Sequence, residues 1–136
     1  MKIKVANYIA QFLSEHGVKD VFMITGGGAM HLNDAIGHHE ALQCTYNHHE
    51  QACAMAAEGY ARLSGKVAAV CVTSGPGGTN AITGVLGGWQ DSIPMFVLSG
   101  QVKRETTTRA TSVPLRQLGD QEFQIVDCVK NMTKYA

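Results

Sequence analysis

The stretch Val67-Ala68-Ala69-Val70-Cys71-Val72 constrains this chain more than any other. It is apolar at every position, so it lacks the one-sided alternation of a strand with a wet face. Such a run fits a strand buried on both faces, the signature of a parallel sheet covered by helices on either side. Its neighbours agree. Val21-Phe22-Met23-Ile24 and Met95-Phe96-Val97-Leu98 are further short apolar runs, and Leu42 to Tyr46 reads as a fourth strand.

Helical patterns separate these runs. Val5, Ile9, Phe12 and Leu13 give helical spacing over residues 3–16, closed by Gly17. A short helix is expected from Ala29 to Ile36, ended by Gly37. The alanine-rich segment from Glu50 to Leu63 reads as a helix with Glu58 and Arg62 paired at i, i+4. A small-residue helix follows Gly78 and runs to about Leu86, and a last short helix spans residues 122–130. Strands alternating with helices predict an α/β fold: three layers, with a mostly parallel sheet flanked by helices on both faces. At 136 residues, 1–136 forms one domain.

Composition excludes several classes of function. Hydrophobic residues make up 45% and charged residues 16%, which suits a packed core. Lys plus Arg and Asp plus Glu are 11 each, so no global field calls for nucleic acid or an anionic membrane. No segment reads as a signal peptide or a membrane span. Cys44, Cys53, Cys71 and Cys128 form no C-x-x-C pair. Reduced, mostly buried thiols in a cytoplasmic protein are expected.

Two glycine clusters, Gly26-Gly27-Gly28 and Gly75-Pro76-Gly77-Gly78, directly follow strands. Ligands of open parallel sheets bind beyond the carboxyl ends of the strands. The first cluster is not a dinucleotide fingerprint, because His31 occupies its sixth position. The second is not a Walker loop, because no Gly-Lys-Ser/Thr follows. Its Gly-Pro-Gly turn predicts a helix capped by Thr79 or Asn80. His48-His49-Glu50-Gln51 stands at a strand-to-helix junction. Cys53 replaces the second histidine of H-E-x-x-H, and no metal site is expected. Ala54, Ala57 and Ala61 share the side of Glu50. Its carboxyl is therefore expected beside apolar packing, with a raised pKa suited to carrying a proton. Residues 101–118 read as a long loop. Lys103, Arg104, Arg109 and Arg116 within it could gather an anion, though such runs are more often solvated.

The order of these pieces resembles thiamine diphosphate enzymes of the acetohydroxyacid (acetolactate) synthase group, over their N-terminal, pyrimidine-binding domain. The matching blocks are Gly17-Val18 to Val21-Phe22, Gly26-Gly27, His49-Glu50-Gln51, Ala56-Ala57-Glu58-Gly59-Tyr60-Ala61-Arg62, Thr73-Ser74-Gly75-Pro76-Gly77, Thr79-Asn80, Asp91-Ser92-Ile93-Pro94 and Gly100-Gln101-Val102. The resemblance covers nearly the whole chain. It implies that Glu50 hydrogen-bonds N1′ of the cofactor's aminopyrimidine and carries the proton that activates it. It further implies that Gly26 and Gly27 lie over the cofactor, that Pro76 and Asn80 shape the pyrimidine site, and that Gln121 looks towards the substrate. The implied reaction decarboxylates a 2-oxo acid such as pyruvate and transfers the two-carbon unit to a second carbonyl.

One departure concerns the acceptor. Asp120 stands where the group has a phenylalanine before Gln-Glu, and the loop ahead of it is longer and more basic. Both features look more like relatives that use a larger, polar acceptor such as a keto-sugar nucleotide. The other departure is extent. The group's diphosphate and Mg²⁺ site lies in a separate domain, whose Gly-Asp-Gly run is absent here. The chain is thus expected to supply half of a site shared with a diphosphate-binding domain, in a homodimer or tetramer, and to be inactive alone. Ending at Tyr135-Ala136, before the group's last strand and helix, it reads as truncated at its C-terminus. An FAD requirement stays open. Two alternatives stand beside this reading: a decarboxylase or hydrolase of the same superfamily, and a non-catalytic α/β module that binds a nucleotide or a partner subunit.

Overall fold

A computed structural model describes residues 2–136. In chain order the elements are α1 (Val5–Glu15), β1 (Asp20–Met23), a 3₁₀ turn (Gly27–Ala29), α2 (Met30–Gly37), β2 (Gln43–Tyr46), α3 (Glu50–Ser64), β3 (Ala68–Val72), α4 (Pro76–Gln90) and β4 (Met95–Ser99). Two further 3₁₀ turns (Arg104–Thr106 and Thr108–Ala110) and a short α5 (Ile125–Val129) follow. Among the described residues the four strands form one sheet in the order β2-β1-β3-β4, and every neighbouring pair is parallel.

The core explains the layering. Alternate residues of β3 serve opposite faces. Ala69 and Cys71 join Leu13, Val18, Val21, Met23 and Ile36 beneath α1 and α2. Ala68, Val70 and Val72 join Cys53, Ala54, Ala57, Ala81 and Val85 beneath α3 and α4. All five β3 residues are fully buried, as their unbroken apolar run requires. Each buried valine contributes roughly 1.5–3 kcal/mol relative to an exposed one. Burial also pushes the Cys71 thiol up to about 12, so it packs as an inert apolar group. The three-layer α/β prediction is borne out, and no described helix is long and apolar enough to cross a membrane.

Three local expectations are corrected. Helix α4 starts at Pro76 and continues to Gln90, past the predicted end near Leu86. Its cap is Gly75, with Pro76 at the first helical position, where a missing N–H costs nothing. Thr79 and Asn80 therefore lie inside the first turns and cap nothing. The helix passes through Gly84, Gly87 and Gly88 because two of them are contact points. A Cβ on Gly84 would sit 2.6 Å from Ala54 Cβ and 2.9 Å from the Met55 backbone nitrogen of α3. One on Gly88 would strike the end of Met95. Tertiary packing here overrides weak helix propensity. The last helix is shorter than predicted, starting at Ile125, because residues 121–124 are committed to the preceding loop.

The predicted Glu58–Arg62 pair forms, with Arg62 Nη2 2.5 Å from Glu58 Oε1. The same guanidinium reaches Asp91 just after α4. It thus ties the ends of α3 and α4 together on the outer face.

This packing generates a paired expectation. Gly84→Ala forces the α3 backbone away and lowers stability by about 1–3 kcal/mol. Gly59→Ala, in the middle of α3 with open space at its Cβ position, raises it by roughly 0.5–1 kcal/mol. Urea unfolding of the two variants checks both signs.

Candidate functional site

All strands being parallel, their carboxyl ends share one edge of the sheet. The order β2-β1-β3-β4 places the point where the strand order reverses between β1 and β3, the usual location of a ligand crevice. The Gly26–Gly28 loop leaves β1 there, and Thr73-Ser74-Gly75 leaves β3. The two loops are joined: Gly28 N–H donates to Thr73 Oγ1 at 3.1 Å. A Cβ on Gly26 would overlap the Thr73 side chain, and one on Gly28 would come 2.5 Å from Ser74 Oγ. From the far side, Gly100 after β4 presses on the backbone of Gly28 and Ala29. Gly26 and Gly28 are therefore consumed by packing. Gly27 is exposed, with nothing within 4 Å of its Cβ position. Of the predicted pair, Gly27 leaves open backbone at the sheet edge, while Gly26 holds the loop in place.

Glu50 is the first residue of α3. His49 ahead of it is the cap, its Nδ1 accepting from Gln51 N–H at 3.1 Å. This gives the junction histidine a structural role, and among the described residues no three His, Cys, Asp or Glu side chains cluster as metal ligands. Asn80 Nδ2 on α4 donates to Glu50 Oε2 at 3.0 Å. The other carboxylate oxygen lies 3.6 Å from where a Cβ on Gly77 would stand. The expected apolar enclosure of Glu50 is corrected. Ala54 and Ala57 are buried in the α3–α4 core, whereas Glu50 itself is half-buried and meets an amide at the rim.

Pro76 and Asn80 are one helical turn apart on α4, so Pro76 stands beside the Glu50–Asn80 pair. It also lines a cavity of about 350 Å³ with Thr79, Gln117, Asp120, Gln121 and Phe123. A larger groove of about 530 Å³ runs between α1 and α2 past Asn7, Asp34, His38 and His39. It contains none of the predicted site residues, and volume alone does not outweigh the chemistry gathered at the sheet edge. The structure thus joins Glu50 with Asn80 by a hydrogen bond, and Pro76 with Gln121 around one cavity.

Sequence reasoning missed how the loop is held. Thr108 N–H and Oγ1 donate to Glu122 Oε1 at 2.7 and 2.9 Å, and Leu118 N–H donates to Oε2 at 3.0 Å. Gln101 Nε2 reaches Phe123 O at 2.7 Å. The available signal was an acid following a Thr-Thr-Thr run rich in donors. Lys103, Arg104, Arg109 and Arg116 are exposed, and none is in an ion pair among the described residues. The solvated reading of each holds.

Comparison with known proteins settles the family. Residues 3–128 match the model of the thiamine pyrophosphate enzyme N-terminal TPP binding domain. The chain belongs to that family. Similar proteins include the acetolactate synthase large subunit of Haemophilus influenzae, 46% identical over 101 residues, or 74% of this chain and 18% of that protein. The isozyme 3 large subunit of Escherichia coli is 42% identical over 124 residues, 91% of this chain and 20% of its own length. The chloroplastic acetolactate synthase of Arabidopsis thaliana is 35% identical over 135 residues, 97% of this chain and 18% of that protein. The chain spans about a fifth of the length of these relatives. Membership in this family does not favour the reading as a non-catalytic nucleotide module.

The residues at the sheet edge fit the cofactor's pyrimidine half. A carboxylate oriented by an amide can hold a proton at a ring nitrogen, and open backbone at Gly27 admits a flat ring.

The Glu122 contacts carry a pH dependence. Burial pushes this carboxyl up, but the hydrogen bonds from Leu118 and Thr108 outweigh it and hold it below the usual carboxylate range. A lowered folded pKa means the stabilisation is complete above about pH 4.5, the unfolded value, and is lost as pH falls through the folded one. Asp120, Arg109 and Arg116 are the charged residues flanking the contact points. The amide resonances of Thr108 and Leu118 are expected to titrate together with the Glu122 carboxyl, with a midpoint below that of an ordinary glutamate. Independent midpoints for the two amides would break the assignment.

Proposed function

We propose that this domain provides the pyrimidine-binding half of the active site of an acetolactate synthase-like, thiamine diphosphate-dependent carboligase. The enzyme decarboxylates a 2-oxo acid such as pyruvate and passes the two-carbon unit to a second carbonyl. The observation that carries this reading is the Glu50–Asn80 contact at the carboxyl edge of the sheet, in a chain of this family. When bound, thiamine diphosphate supplies the electron sink for loss of CO₂.

The protein's share of the chemistry follows from its own residues. Glu50 holds and returns a proton at N1′ of the aminopyrimidine. Asn80 fixes its carboxylate by donating to one oxygen, which leaves the other free beside Gly77. Gly27 gives the ring backbone to lie against, and Gly26 sets that loop's position through Thr73. Pro76 bounds the pyrimidine on one side and the cavity on the other. Gln121 faces the substrate across that cavity. The cavity offers the polar side chains Thr79, Gln117, Asp120 and Gln121 beside the apolar Pro76 and Phe123, and these donors and acceptors support a polar acceptor such as a keto-sugar over a second small 2-oxo acid.

The diphosphate and its Mg²⁺ fall to a diphosphate-binding domain of the same or a partner chain, within a homodimer or tetramer. Four free thiols among the described residues support a reducing compartment, the cytoplasm.

In the assembled enzyme, Glu50→Gln keeps the side chain's size and its contact with Asn80, but removes the exchangeable carboxyl proton. Exchange of the cofactor's C2 proton and turnover are expected to fall by about 10²–10⁴-fold, the usual range for a lost acid–base group. A first-turn carboxylate that only complements the helix dipole would cost roughly 0.3–1 kcal/mol of stability and no chemistry. Near-normal C2 exchange in this variant would therefore remove Glu50 from the reaction.

A further inference from the structure

We propose that Glu122 is the positioning residue of the substrate side of the site: it ties the 101–118 loop closed and thereby fixes Gln121 over the start of α4. This rests on the carboligase reading given above.

The geometry is a knot. One carboxylate takes three hydrogen bonds from two separated points of the loop, Thr108 and Leu118. Beyond the 3₁₀ turn at Thr108–Ala110, the chain between those points is irregular and mostly exposed. Gly119 lies inside the knot, with a Cβ there falling 2.7 Å from Thr106 O and 2.8 Å from Val102 Cγ2. The two loop ends are therefore folded onto residues 118–122.

The same carboxylate holds its neighbour in an uncommon conformation. Gln121 has φ 57, in the left-handed region that non-glycine residues seldom occupy. Its carbonyl oxygen presses on Gly75, whose own φ is 53. Only a glycine admits that approach. Gln121 thus sits on the residue that caps α4, next to Pro76 and within about one turn of Asn80. An open-chain Gln121 would relax out of this region. The bonds of Glu122 to both loop points oppose that relaxation. The hydrogen bonds of Glu122 and that of Glu50 share no partner, so substrate binding and cofactor activation are separable by mutation.

The test uses the assembled, cofactor-loaded enzyme, with Glu122→Ala, Glu122→Gln and Thr108→Val. Three readouts are followed: KM for the 2-oxo acid, C2-proton exchange of the bound cofactor, and the rate of trypsin cleavage after Arg109 and Arg116. Hydrogen bonds to a charged group are worth about tenfold each or more. Glu122→Ala is therefore expected to raise KM and speed loop cleavage by about tenfold or more, with C2 exchange within about twofold of the parent. Glu122→Gln retains an acceptor for Thr108 and is expected to fall between. Thr108→Val removes one donor and moves KM and cleavage the same way, which keeps the test decisive if Glu122→Ala does not fold. Unchanged KM and cleavage in Glu122→Gln and Thr108→Val, with normal C2 exchange, overturn the assignment and leave the carboligase reading intact. Absence of C2 exchange in the parent enzyme overturns that reading, and this assignment with it.

Discussion

Everything at the functional edge depends on how closely the loops after β1, β3 and β4 approach one another. Thr73 fills the space that a side chain at Gly26 would take and accepts the Gly28 N–H. Gly100 closes on the backbone of Gly28 from the other side. The parallel sheet brings these loops to one edge, but only the absence of side chains lets them meet. Their contact fixes where Gly27 is exposed, and the same Thr73-Ser74-Gly75 segment sets where α4 begins. The start of α4 in turn places Asn80 within reach of Glu50, so the carboxylate's orientation is inherited from loop packing two strands away.

The first turns of α4 serve both halves of the site. Asn80 faces Glu50, while Gly75, Pro76 and Thr79 face the cavity shared with Gln121. On the proposed reading, proton chemistry and substrate contact are thereby held by one helix with separate supports. α3 packs against α4 through Gly84 and the alanines 54 and 57 on one side. On the other, the loop knot rests on Gly75. A helix built from small residues suits this double duty, because it can be approached closely from two directions.

Much of the fold was legible because the apolar runs were unambiguous. β3 could only be a doubly covered strand, and its neighbours fell into place to within a residue or so. The end of α4 was not legible, because the pair Gly87-Gly88 reads as a helix breaker when seen alone. The contact of Gly88 with Met95, like that of Gly84 with α3, exists only in three dimensions. The place of Glu50 at the start of α3 was legible from its block, but its surroundings were not. Counting alanines on its helix suggested an apolar pocket, and the alanines instead pack against α4 while an amide meets the carboxylate. The loop's organisation was invisible for a similar reason. Glu122 sits 14 residues from Thr108, and local propensity says nothing of a bond across that distance.

The central claim is that Glu50, oriented by Asn80, faces the bound cofactor at the β1–β3 edge. Carboxyl footprinting of the assembled enzyme tests it most directly, comparing labelling with and without thiamine diphosphate. Glu50 should be labelled in the free enzyme and protected in the loaded one, while the exposed carboxylates Glu40 and Glu105 react equally in both. Equal labelling of Glu50 in the two states would contradict the account.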